Sequence, residues 1–429
     1  MIVAMFRKPA GSLLLGTTVV AIAAATLTPG AGGSPSGFCI LCGTRGAADF
    51  LSNIALFVPF AAALAASGRS VRTAVLAALL FSLGIEVAQI GVVPGRDANA
   101  GDLLANTLGG LLGSVLFHHR RWWLAARGAA ARSLATTAAT LAVVMFGLYL
   151  LEPSPPARPY FLQWTARFGH MRAYDGRVMS TRIGDVDLAG PWLIEDSDTV
   201  RHLLERGAPI VFQARAGAPS NGTAPIVSIY DDLRREVLLV GADAGDLILR
   251  YRPRAADWLL DHGEIRVRGA FDAVTAGSNL RVAIRRERNG YCIEANRFAR
   301  CAQGFTAGDT FTLLMAPRWQ YPARTIAGCI WLFILFIPGG LIGGTKRLAI
   351  ASMAAIATVL VIAPVVFGYP PTPVLQVMAA CAGNAAGAWM RNSTWRRWIR
   401  DDPADDHRGS RRRGSNGSES TTPNRLTVS

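Results

Sequence analysis

Eight apolar runs, at roughly 10–28, 50–67, 73–93, 102–118, 133–151, 325–344, 348–367 and 373–390, limit what this chain can fold into more than any other feature. Each approaches the ~20 residues that a helix needs to cross ~30 Å of hydrocarbon. With 51% hydrophobic and 17% charged residues over 429 positions, the chain is not an ordinary soluble protein. A net charge of +15 raises nucleic-acid binding as a function, and the placement of the charges decides against it. Residues 152–321 are nearly balanced, with 22 Arg against 20 acids, and the basic excess sits in short segments between the apolar runs.

That placement is the positive-inside pattern of a membrane protein. If Arg7 and Lys8 are cytoplasmic, the inside segments carry 14 basic residues, among them Arg69, Arg72, Arg120, Arg121, Lys346, Arg347 and Arg391. The short outside loops carry only Arg45 and Arg96. The expectation is a cytoplasmic-membrane protein of about eight spans with both termini inside. Residues 1–30 also have the look of a signal peptide, but their removal would invert every later loop against the charge rule, so they read as a helix.

Between residues 152 and 321 continuous apolar runs give way to short alternating ones. Strands are expected at Pro209–Arg215, Pro225–Tyr230, Glu236–Val240, Asp246–Pro253, Glu264–Ala270, Arg281–Arg288 and Thr310–Ala316, with turns at Asp231-Asp232, Ala244-Gly245 and Asn289-Gly290. This is enough chain for a two-sheet sandwich. The fold class is therefore a multi-pass α-helical membrane protein with an inserted extracytoplasmic all-β sandwich. Its domains are a membrane block over 1–151, the sandwich over 152–321 with a stiff Pro-rich lead-in at 152–159, a second membrane block over 322–390, and a basic, polar cytoplasmic tail over 391–429.

The first block holds four acids, Asp49, Glu86, Asp97 and Asp102, all at its expected outer face. Glu86 lies within a span, where a central charge costs roughly 2.5–3.5 kcal/mol, so it needs protonation, a partner or a wet cavity. Gln89 follows it by three residues, and the pairs Asp49/Asn53 and Asp102/Asn106 each share a helix face. Arg96 can neutralise this set, and Gly109, Gly110 and Gly113 let a neighbouring helix come close. Asp49, Asn53, Glu86, Gln89, Arg96, Asp102 and Asn106 are thus the candidate ligand-binding residues, with Glu86, Asp102 and Arg96 the candidates for any catalysis. The competing account is a network that only clamps helices together.

The order Asp49-x3-Asn53-Ile-Ala-Leu-Phe-Val-Pro59, Glu86-x2-Gln89, then Arg96-x5-Asp102-x3-Asn106-Thr-Leu-Gly109-Gly-Leu-Leu-Gly113 resembles the VanZ-like integral membrane family over residues 10 to 118. The resemblance implies a helical membrane domain and a link to low-level resistance to the lipoglycopeptide teicoplanin. It implies no reaction.

The last three helices read as a degenerate repeat of helices two to four. Ile334-Leu-Phe-Ile-Pro338 mirrors Ala55-Leu-Phe-Val-Pro59, and Asn384-Ala-Ala-Gly387 parallels Asn106-Thr-Leu-Gly109, with Ala380 standing where Asp102 would be. Chance likeness among Gly/Ala-rich helices is the rival account. The segment from Pro225 to Arg252 is similar to laminin-G/concanavalin-like sandwiches over 165–318, which implies a carbohydrate-binding role. Asp231, Asp232, Asp243 and Asp246 have the chemistry for Ca²⁺ but equally for solvating hairpins, and no other cofactor or metal is expected.

Cys292 and Cys301 are placed for a hairpin disulfide outside the membrane. Cys39 and Cys42 form a second pair, a structural disulfide or inert thiols rather than a redox or metal site, because their loop offers only Arg45 as a cation. Neither a phosphate-binding loop nor a GxSxG or HExxH signature is present. Three functions remain. The chain recognises a lipid-linked or glycan ligand at the outer leaflet and so alters access of glycopeptides. Alternatively it is a membrane enzyme acting on a lipid-linked phosphate through Glu86 or Asp102 with Arg96, or a transporter with Glu86 as its proton site. The expected partner is a membrane lipid or lipid-linked envelope precursor, with carbohydrate at the outer domain and no nucleic acid.

Overall fold

The apolar runs form helices, three of which begin at a side-chain cap. In the computed structural model, which describes residues 2–27, 39–93, 99–169, 171–190, 192–315 and 322–392, these are α1 (Ile2–Thr26), α2 (Gly46–Ala66), α3 (Val71–Val92), α4 (Ala100–His118), the short α5 (Arg120–Trp123) and α6 (Ala129–Leu150). After the sandwich, which carries α7 (Ser197–Glu205), come α8 (Ala323–Gly343), α9 (Lys346–Val366) and α10 (Val374–Met390). Ser70 accepts the Thr73 N–H at the start of α3, Asn99 the Gly101 N–H before α4, and Thr345 the Leu348 N–H before α9. Among the described residues six helices are long and apolar enough to cross a membrane: α2, α3, α4, α6, α8 and α9. Ser12–Thr26 of α1 and the whole of α10 are shorter apolar helices. The expected tail beyond Asn392 lies outside the described residues.

The extensive helix contacts fall within two groups, α1–α4 and α6 with α8–α10. The first is centred on Phe57, Phe60 and Phe81 with Ile22, the second on Leu332, Phe336, Ile356 and Leu360. Both groups use the same close approach. A Cβ added at Gly109 or Gly113 would stand under 3.0 Å from the carbonyl oxygen of Ile54 or Val58, and one at Gly383 or Gly387 would meet the Phe333 or Ile337 oxygen in the same way. In α2 and in α8 those carbonyls lie five and one residues before the proline, Pro59 or Pro338. This packing shifts the alignment expected from sequence by one helical turn. Gly383 stands where Gly109 does, so Gln376 takes the place of Asp102, and Ala380 that of Asn106.

The inserted segment is a sandwich of two antiparallel six-stranded sheets. One runs β4 (Leu193–Ile194), β1 (Tyr160–Trp164), β6 (Ala224–Asp231), β7 (Glu236–Asp243), β8 (Asp246–Tyr251), β9 (Ile265–Val267). The other runs β12 (Phe298–Gln303), β11 (Gly290–Ala295), β10 (Asn279–Glu287), β5 (Ile210–Arg215), β2 (Arg177–Ile183), β3 (Val186–Leu188). Side chains such as Phe212, Ile226, Ile229, Val282 and Ile293 fill the space between the sheets. The Pro-rich lead-in is not free: Ser154 N–H donates to the Arg252 carbonyl at 2.8 Å, and the Tyr251 hydroxyl donates to the Leu151 carbonyl.

One expected strand is absent. Of Thr310–Ala316, Thr310 to Leu313 lie in a 3-10 helix, Ala307–Leu313, all seven residues of which are buried; Leu314 and Met315 follow it, and residue 316 is outside the described residues. Its cause is a capping box, in which the Thr306 side chain accepts the Asp309 N–H and the Thr306 N–H donates to Asp309 Oδ2 at 2.8 Å, the Thr306 hydroxyl donating to the same oxygen. This turn lies against α8, where Gly308 faces Gly328. The four acids considered for Ca²⁺ are engaged in hairpins: Asp231 accepts from the Leu233 and Arg235 N–H groups, Asp232 pairs with Arg158, and Asp243 and Asp246 both pair with Arg266. Cys292–Cys301 and Cys39–Cys42 are disulfides, the first joining β11 to β12.

Candidate functional site

The polar residues of the first helix group converge at the end that faces the sandwich. Asp102, in the first turn of α4, accepts a hydrogen bond from Asn53 Nδ2 on α2 at 2.8 Å. Glu86 on α3 is 7% exposed, and its Oε2 accepts the backbone N–H of Asn99 at 2.9 Å. Asn99 in turn caps α4, so this bond fastens α3 to the start of its neighbour. One turn deeper, Asn106 donates Nδ2 to Ser82 Oγ at 2.9 Å, while its Oδ1 has no partner among the described residues. Gln89 donates to the carbonyl of Thr26 at 2.9 Å, reaching the last turn of α1. Asp49 lies exposed four residues before Asn53, on the same stripe of α2.

Six of the seven expected site residues therefore lie toward one end of three helices, α2, α3 and α4, and Arg96 lies outside the described residues. Asn99, Ser82 and Thr26 are the partners that the sequence does not reveal. Asn99 is readable as a cap, because it precedes an apolar run, but its bond to Glu86 uses the main chain and leaves no trace in side-chain spacing. The Cys39–Cys42 loop covers the site. A Cβ at Gly46 or Gly101 would collide with the Leu41 or Ile40 backbone, and Cys42 Sγ lies 3.8 Å from Asn99 Oδ1. The glycines at the starts of α2 and α4 are thus what let a cross-linked loop sit directly on them.

The second group meets the sandwich at the corresponding end with different chemistry. Gln376, 4% exposed, accepts the Gly308 N–H and donates to Thr306 Oγ1, both at 2.9 Å. An amide there satisfies a buried turn. The carboxylates of the first group present acceptors that take hydroxyl, amine or guanidinium donors.

Residues 15–124 match the VanZ/LLP1 family model, a span that runs from α1 through α5 and contains every residue of the polar end. The sandwich and the helices after it lie beyond the match. No curated protein and no solved structure matches the chain.

Proposed function

We propose that this chain, whose residues 15–124 form a VanZ-like membrane domain, is a cell-envelope protein that recognises a lipid-linked or glycan ligand at the outer leaflet and thereby lowers access of teicoplanin-type glycopeptides. The observation that carries this reading is Glu86. Helices in this group are already tied together by neutral pairs such as Asn106–Ser82 and Gln89–Thr26. A carboxylate 7% exposed inside an apolar helix, held by a backbone N–H at its open end, is more expensive than a clamp requires, by roughly 2.5–3.5 kcal/mol at the centre of a span. Ligand recognition accounts for that cost. The loop charges favour a sandwich outside the cytoplasm, where it acts as the receptor module and, with its laminin-G/concanavalin-like strand pattern, takes the carbohydrate part of the ligand.

The test is teicoplanin susceptibility in a deletion host carrying the wild type, Glu86→Ala or Asp102→Ala, with membrane levels matched by immunoblot. Equal protein with protection reduced to that of the empty vector is the expected result. Full protection by both variants would make the polar end a helix clamp, and a wild type that protects no better than the vector would remove the resistance role. Asp102→Asn separates recognition from catalysis, since a general base loses its function on becoming an amide, whereas an acceptor keeps one oxygen.

A further inference from the structure

At the junction between the sandwich and the helices lies a cavity of about 630 Å³. It lies between the β6–β7 hairpin, the segment 259–264, the start of α2 at Thr44 and Arg45, and Arg324 at the start of α8. Its walls carry Arg45, Arg234, Arg235, Arg250, Arg252 and Arg324 against three carboxylates, Glu236, Asp261 and Glu264. Burial holds His262 below its ordinary range, so at neutral pH it adds no charge.

Several of these arginines have partners, and the pairing leaves donors over. Arg45 meets Asp261 through Nη2 at 2.7 Å, and Arg324 meets Asp309 through Nε at 2.8 Å. A guanidinium has five N–H donors in a fixed fork, so each of these pairs leaves several pointing elsewhere. Arg250 pairs with Glu236, Arg252 with Asp257 and Arg235 with Asp231, so these three close the wall as ion pairs. The Arg234 side chain is exposed and makes no hydrogen bond or ion pair among the described residues.

The lining is also amphipathic. Leu259, Leu260 and Phe311 supply apolar surface. Two exposed apolar side chains flank the lining segments in sequence, Leu233 beside Arg234 at 56% exposure and Trp258 beside Leu259 at 62%. Trp258 closes the 3-10 helix Arg254–Trp258 of the sandwich, and an exposed indole of this kind favours the headgroup layer of a bilayer. Arg45 begins the stripe of α2 that continues to Asp49 and Asn53, so the cavity and the polar end share one helix.

We propose that this cavity binds the phosphate group of an anionic membrane lipid, with Arg234 and the remaining N–H groups of Arg45 as its direct donors. The inference rests on the outer-leaflet reading above for the position of the bilayer surface and names the chemistry of the headgroup. The acyl chains leave along Leu259, Phe311 and Trp258, which gives the site a preference for a lipid-borne phosphate over a free one.

The test uses the full chain in phosphatidylcholine nanodiscs, titrated with fluorescent phosphatidic acid, with inorganic pyrophosphate as soluble competitor. Saturable binding is expected, weakened about tenfold or more in Arg45→Gln/Arg234→Gln, as the loss of charge-assisted bonds requires. Arg234→Gln alone, which disturbs no partner, should account for part of that loss, and Arg177→Gln, an exposed position on the other sheet, for none. Displacement by pyrophosphate would keep the phosphate chemistry and make the soluble group a ligand in its own right, whereas resistance to it assigns the site to lipid. Binding that survives the double variant, or falls equally in Arg177→Gln, overturns the proposal. Because the readout is binding in nanodiscs, it is unaffected by whether Glu86→Ala loses teicoplanin protection.

Discussion

Gly113→Leu should cost about 3 kcal/mol of stability, the upper end of overpacking, because no side-chain movement can relieve it. The atoms in the way are the Val58 carbonyl and Cα, part of a helix backbone, so α2 and α4 have to separate along their whole contact. The expected result in detergent is an unfolding midpoint lowered by several degrees and loss of the Asn53–Asp102 bond that depends on the same approach. Gly387→Leu, which meets the Ile337 carbonyl, should lose a similar amount, since the second helix group closes in the same way. Gly84→Ala on α3 is the control: it meets open space and should gain up to about 1 kcal/mol from helix propensity. A Gly113→Leu protein as stable as the wild type would mean that the helices are not packed at that distance.

Asp309→Ala is the second large effect, with about 3 kcal/mol expected from stranding a paired cation. One carboxylate receives the Thr306 N–H, the Thr306 hydroxyl and Arg324 Nε. Arg324 also donates to the Glu264 carbonyl, so the same side chain ties the 3-10 turn, strand β9's lead-in and α8 into one joint. Removing the acid leaves a cation that is 22% exposed and two donors without an acceptor. Thermal unfolding of the purified protein should show the loss, and limited proteolysis should open the chain near residues 306–313. Asp309→Asn should fall between, because an amide oxygen still accepts while the charge pair is gone. A full midpoint in the alanine variant would show that the turn is held by burial alone.

The helices were legible because lipid-length apolar runs have few alternatives, and six of them became helices long enough to span. The sandwich strands with dense β-branched residues, from Ile210 to Tyr251 and again at Asn279–Glu287, were legible for a similar reason. Short strands such as Val186–Leu188 and Leu193–Ile194 hold two or three residues, too few for alternation to show. Thr310 to Leu314 alternates like a strand, but the threonine and aspartate three residues apart at 306 and 309 carry the helical start that outweighs it.

At the polar end, the cost of acids in apolar helices and the i, i+3 and i, i+4 spacings picked out residues that the structure brings to one end of the helices. Their partners could not be read. Glu86 bonds to a peptide N–H, and Gln89 to a carbonyl 63 positions away. Arg45 looked like a lone cation beside two cysteines, yet it pairs with Asp261 on the sandwich. The one-turn error in aligning the two helix groups came from matching asparagines, when the glycines that touch carbonyls fix the register.

The two helix groups share little surface with each other, but both are bolted to the same β-structure. On one side the Leu259 carbonyl takes the first N–H groups of α2, at Ala47 and Ala48. On the other, Thr306 and Gly308 hold Gln376 while Asp309 holds Arg324. The groups also meet away from the sandwich, where Arg391 donates to the Leu124 carbonyl, but at this end a plate fixed at two points to two separately packed bodies works as a yoke. Neither helix group can tilt without loading the sandwich, and a force applied to the sandwich reaches both groups at once.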